Sequence, residues 1–177
     1  LFHGLVDMGN SGSLYGVGNL QYVEHIFTNL NPGARYSFRG TVVRGGPFNG
    51  THNVRWTLNS IEGALSFVSA HSIDAPGATN TIYVEGSPVP GLALTNGQVV
   101  FQSGINTNGM VVGWDDIAPA PDGTFTVVNQ PFSGPCYTND GAGNWVLGVA
   151  AGNLGYILAT IALVEYSPRT PLSWITQ

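Results

Sequence analysis

Ala34-Arg35-Tyr36-Ser37-Phe38-Arg39-Gly40-Thr41-Val42-Val43-Arg44 is the stretch whose reading decides the fold. Tyr36, Phe38 and Val42 share one parity with Gly40, while Ser37, Arg39 and Thr41 take the other. A period of two belongs to a strand, whose successive side chains point to opposite faces. Upstream, Asn29-Leu30-Asn31-Pro32-Gly33 supplies a turn, with Pro fixing φ and Gly accepting a positive φ, and a strand over 21–28 precedes it. Downstream, the loop Gly45-Gly46-Pro47-Phe48-Asn49-Gly50 leads to a second alternation. There Val54, Trp56 and Leu58 are expected on one face and Arg55, Thr57 and Asn59 on the other.

The same rhythm of short apolar runs broken by Gly, Pro, Asn and Asp continues along the chain. Further strands are predicted at 65–69, weakly at 81–85, and at 99–103, 110–114, 124–129, 145–150 and 156–165. Helical periodicity is hard to find. The expectation is an all-β, two-sheet antiparallel β-sandwich, jelly-roll-like, with about ten strands. Residues 1–166 read as a single domain and 167–177 as a linker or surface-packed tail.

Composition narrows the function classes. Only 8% of residues are charged and no lysine occurs, so the basic residues are Arg35, Arg39, Arg44, Arg55 and Arg169. A net charge of −5 with five scattered arginines argues against nucleic acid, which demands clustered cations. The apolar run Tyr156 to Val164 is about half the length of a membrane helix, so membrane insertion is not expected. Solubility through Asn, Ser and Thr in place of charge is a style of extracellular β proteins and points to a secreted or cell-surface protein. The opening at Leu1, without a charged and apolar leader, has the look of a mature or trimmed fragment.

Several stretches carry a resemblance. Phe27-Thr28-Asn29-Leu30-Asn31-Pro32-Gly33-Ala34-Arg35-Tyr36-Ser37-Phe38 resembles the strand-turn-strand of galactose-binding-like β-sandwich modules. Gly113-Trp114-Asp115-Asp116-Ile117 with Asp122-Gly123-Thr124-Phe125 is similar to their later turn and strand, and Gly155-Tyr156-Ile157-Leu158-Ala159 to their closing strand. Phe38 to Gly46, with Arg55-Trp56-Thr57-Leu58, looks closer still to accessory modules of large secreted bacterial proteins. The resemblance implies a carbohydrate-binding face or loop edge made of aromatic and polar groups, often with a structural calcium ion.

No complete catalytic constellation is legible. The Gly-x-Ser-x-Gly elbow is absent, Cys136 lacks a visible activating partner, and His3, His25, His52 and His71 form no close-spaced metal pair. The expectation is therefore a chain that is not an enzyme. Asp115, Asp116 and Asp122 fall within eight residues, a spacing that can wrap calcium; alternatively they close a turn and cap local amides.

A sugar site needs flat apolar surface beside planar hydrogen-bonding groups. Trp145 follows the loop Asn139-Asp140-Gly141-Ala142-Gly143-Asn144 and with Tyr137, Asp140 and Asn144 is the best exposed group. Trp56 alternates with Val54 and Leu58 as core. Trp114 alternates with Met110 and Val112 as core does, yet ends beside two aspartates, so it also belongs among the sugar-binding candidates. Arg39 and Arg55 join them, provided their two strands are neighbours; paired with Glu24 or Glu62 they would be structural. The function expected is a non-catalytic module binding glycan or surface polymer. The alternative is a structural subunit of a fibre or surface layer, self-associating through apolar terminal segments such as Leu1 to Met8.

Overall fold

The alternation in Arg35–Thr41 is realised as a strand whose odd positions are half-buried and whose even positions are buried. Tyr36, Phe38 and Val42 stand in the core as the spacing required. The computed structural model describes residues 22–42, 55–73, 93–104, 106, 109–132, 134 and 154–166, with the backbone course of 2–5, 13–15, 82–84, 137–139 and 145–147.

The strands in chain order are β1 (Phe2–Leu5), β2 (Ser13–Tyr15), β3 (Val23–Phe27), β4 (Arg35–Thr41) and β5 (Thr57–Glu62). They continue with β6 (Ser66–Ser69), β7 (Ser72–Ile73), β8 (Ile82–Val84), β9 (Gln98–Phe101) and β10 (Met110–Ala118). The last are β11 (Phe125–Pro131), β12 (Tyr137–Asn139), β13 (Trp145–Leu147), β14 (Leu154–Tyr156) and β15 (Thr160–Tyr166).

Two antiparallel sheets form the sandwich. One runs β1-β15-β4-β10-β6, with β7 also on β10; the other runs β3-β11-β5-β9-β8. Between them Phe38 of the first sheet, packed on Trp114, meets Phe27 of the second, which lies on Phe125. Phe27 stacks on Phe125 at 4.8 Å between ring centroids and meets Phe38 edge-on at 5.8 Å. Val99, Phe101, Val127, Met110, Val112 and Ile117 fill the remaining space. Aromatic burial of this kind dominates core energetics.

The turn at one end closes differently from expectation. Gly33 keeps a negative φ, and the left-handed residue is Asn29 at φ 58. Asn tolerates that conformation because its short polar side chain bonds locally. Leu30 N donates to Gly123 O at 3.0 Å, tying this turn to the one before β11. Gly123 itself has φ +74, and a Cβ there would lie 2.4 Å from Leu30 O.

The second alternation is also corrected in phase. Thr57, Asn59 and Ile61 are buried and Leu58 is only partly so, while Trp56, buried as expected, precedes the strand. Polar side chains can face a core when every hydrogen bond is met. Asn129 Nδ2 donates to Asn59 Oδ1 at 2.9 Å, and Asn129 Oδ1 accepts from Leu158 N at 3.2 Å and lies 3.0 Å from His25 Nε2. The run expected as one strand over 156–165 divides into β14 and β15, with Ile157 and Leu158 buried between them. Among the described residues, no helix is long and apolar enough to cross a membrane.

Candidate ligand-binding site

The outer face of the first sheet gathers several of the residues singled out above. Along β10, Trp114 pairs with Phe38 and Ile117 with Tyr36, so Asp115 and Asp116 together oppose Ser37 alone. This is a β-bulge, and Asp116 carries its cost in a left-handed φ of 51. The two aspartates, read from the sequence as calcium ligands or as turn and amide caps, thus lie within a strand, side by side. The apolar parity slips from Met110, Val112 and Trp114 to Ile117, which is the mark a bulge leaves in a sequence.

Arg39 reaches Asp115 across the sheet in a two-pronged contact. Nη1 lies 2.9 Å from Oδ1, and Nη2 donates to Oδ2 at 2.9 Å. Nη1 also donates to Phe38 O at 2.8 Å. The stem of Arg39 lies over Gly113, where a Cβ would come within 2.8 Å of Arg39 Cδ. The hydrogen bonds from Arg39 hold the Asp115 carboxyl below its ordinary pKa; burial opposes them, and Ser37 and the Arg39 charge add to the lowering. Both partners remain more than a third exposed, at 39% and 37%.

Beside them Tyr166 donates its hydroxyl to Asp116 Oδ1 and accepts from Asp116 N at 3.0 Å. That bond to the carboxylate raises the Tyr166 pKa. Val68 and Val164 flank the cluster at 55% and 49% exposure. Val164 is the cross-strand partner of Ser37, and Val68 that of Asp115. Beneath, His71 Nδ1 accepts from Gly113 N at 2.9 Å, and its ring meets Trp114 edge-on at 5.2 Å. Burial, then the Arg39 charge, lowers the His71 pKa to about 4.

No family model, curated protein or solved structure matches this chain.

The remaining predicted residues are dispersed. Trp114 is fully buried, which puts it in the core and removes it from any sugar-stacking surface. Arg39 and Arg55 do not share a sheet surface, because β4 and β5 belong to different sheets. Neither pairs with Glu24 or Glu62: Arg39 takes Asp115, and Arg55 donates Nη1 to the Tyr156 hydroxyl. Asp122 sits apart from the other two carboxylates, accepting from Thr124 N at 3.1 Å and Thr124 Oγ1 at 2.7 Å. This is the turn-capping alternative, and among the described residues no group of three His, Cys, Asp or Glu side chains could hold a metal ion.

Tyr137 pairs with Leu147 and Asn139 with Trp145 in a two-stranded ribbon, so the positions of Tyr137 and Trp145 lie on one ribbon face. Asp140 and Asn144 lie outside the described residues, as do Cys136, His52 and the tail 167–177. Ser37 and Tyr166 had no signal of their own, and His71 was weighed in the sequence only as a metal ligand. Only the strand pairing brings them to Arg39.

Proposed function

We propose that the chain is a non-catalytic extracellular module that binds carbohydrate or a surface polymer on the outer face of β15, β4, β10 and β6. The observation that carries this reading is the half-exposed, two-pronged Arg39–Asp115 pair set between Val68, Val164 and the Tyr166–Asp116 pair. An exposed ion pair adds at most about 1 kcal/mol to stability. The same pair is a rigid, planar set of donors and acceptors, and adjacent sugar hydroxyls need such a set. The neighbouring valines and the Tyr166 ring supply apolar surface for the C–H face of a sugar ring. Mutual neutralisation of Arg39 and Asp115 suits a neutral polymer. The resemblance to galactose-binding-like modules and the lysine-free composition lend support from the sequence side.

A glycan array read with wild-type protein and Arg39→Ala tests the proposal. Wild type is expected to retain one class of glycan, and the variant to bind it at least about tenfold more weakly. Equal retention by both, or no glycan retained by wild type, would count against it.

A second reading, the fibre or surface-layer subunit, has one observation behind it. Among the described residues β1 lies at the edge of its sheet, where Phe2 to Leu5 pair with β15 alone. A short edge strand of this kind is the element that exchanges between copies. Light scattering of the purified chain separates the two, since exchange requires concentration-dependent association.

A further inference from the structure

We propose that the outer face holds an internal stretch of a neutral, ribbon-like polysaccharide, laid across the strands on a line from Val164 to Val68. The face and the ligand class rest on the polymer-binding reading above; what is added is the shape, direction and length of the ligand.

Strand register defines the line. Val164 of β15 pairs with Ser37 of β4, the bulge of β10 sets Asp115 and Asp116 against Ser37, and Asp115 pairs with Val68 of β6. One row therefore crosses four adjacent strands, apolar at its ends and polar in its middle. Three strand spacings of about 4.8 Å separate the two valines, so the row is roughly 14 Å long. Several linked sugar rings fill that length, whereas a single ring, or a chain running along the strands, covers one end only. Both ends are open to solvent: Val164 and Val68 are about half exposed, and Ser66 and Ser69 beside Val68 are exposed as well. A chain can therefore continue past the row in either direction.

The polar groups lie flat beside the row instead of walling it. Arg39 pairs with two small residues, Ala162 and Gly113. Its stem occupies the space above Gly113, where a Cβ would come within 2.8 Å of Cδ, so the guanidinium lies down towards Asp115. Tyr166 stands on β15 opposite Arg35, yet its hydroxyl accepts from Asp116 N on β10, two strands away. Spanning about 10 Å between those strands requires the side chain to lie along the sheet, over β4. Arg39 thus flanks the row on the Thr41 side of Ser37, and Tyr166 flanks it on the Arg35 side. Hydrogen-bonding groups on both flanks of a floor with apolar ends match a straight ribbon, whose hydroxyls project from both edges and whose C–H faces lie flat. Equatorially linked pyranose chains have that form, and coiled chains do not. Arg39 and Asp115 neutralise each other, which fits a chain without charge.

Isothermal titration calorimetry with cello-, xylo- and chito-oligosaccharides of one to six rings tests this, with malto-oligosaccharides as the coiled control. In the series that binds, affinity is expected to climb at least about tenfold from the disaccharide to the tetrasaccharide and then level off, as the second valine is covered. A hexasaccharide reduced with borohydride should bind as tightly as the unreduced one, because internal rings suffice. Val68→Thr and Val164→Thr should each weaken the hexasaccharide about threefold or more, with the urea midpoint unchanged. Full affinity for a monosaccharide, loss of binding on reduction, equal binding of maltohexaose, or indifference of the hexasaccharide to both valines would overturn the inference. So would an array-positive glycan with no binding in the three ribbon series. Each of these results leaves a glycan bound and the proposed function standing, whereas absence of binding to every glycan would remove both.

Discussion

Acidification should loosen this fold through His71, and the size of the effect follows from its surroundings. Its Nδ1 accepts the Gly113 N–H, so the neutral ring carries its proton on Nε2. Adding a second proton would set two donors face to face, in a partly buried position near the Arg39 charge. The folded pKa is accordingly about 4 against an ordinary 6.5. Because the folded value is depressed, the stabilisation is complete above pH 6.5 and is lost as pH falls towards about 4. At roughly 1.4 kcal/mol for each factor of ten, the loss is about 2 to 3 kcal/mol, the lower figure allowing for the ring's partial exposure. His25, also lowered by burial, adds to the loss in the same direction. Asp115 acts on a separate window, since its depressed pKa keeps its contribution intact until pH falls below the ordinary 3.8. Urea unfolding followed by tryptophan fluorescence at pH 7, 6, 5 and 4 measures the effect in wild type and in His71→Asn, whose amide oxygen still accepts from Gly113. Wild type should lose stability as pH falls below about 6.5, and the variant less steeply. Identical slopes, or stability that rises on acidification, would refute the reasoning.

Other substitutions probe the scaffold. Gly123→Ala forces a side chain into φ +74 and against Leu30 O, and should cost about 2 to 4 kcal/mol, seen as a lower urea midpoint at unchanged slope. Asn129→Ala strips partners from His25, Asn59 and Leu158 N at once, and a loss of at least about 3 kcal/mol is expected in the same assay. Phe38→Ala opens a cavity among Phe27, Trp114 and Leu163 and should destabilise by about 3 to 5 kcal/mol, enough to leave much of the protein unfolded at 37 °C.

The fold class was legible because Arg35–Thr41 obeys the period of two over its whole length, and burial follows it residue by residue. The polarity rule failed at β5, where Thr57 and Asn59 face inward, because hydrogen bonds to Ser103 and Asn129 compensate their burial. Such compensation comes from residues some 40 to 70 positions away and leaves no local trace. At Asp115-Asp116 the trace was present, as the parity slip between Trp114 and Ile117, but consecutive aspartates also read as a loop. The candidate face was legible only in Arg39 and its two aspartates. Tyr166 and His71 come to it through pairings of β15 and of the segment after β6, which no spacing in the sequence specifies. Trp114 shows the opposite case, a large aromatic beside charged residues whose strand parity, rather than its neighbours, decided its burial.

Amide chemical-shift mapping with soluble cello-, xylo- and chito-oligosaccharides tests the central claim most directly. Binding on the outer face predicts concentration-dependent shifts at Ser37, Arg39, Asp115, Asp116 and Tyr166, with β3 and β11 unmoved. Shifts confined to β3 and β11, or an array-positive glycan that moves none of the five, would contradict it.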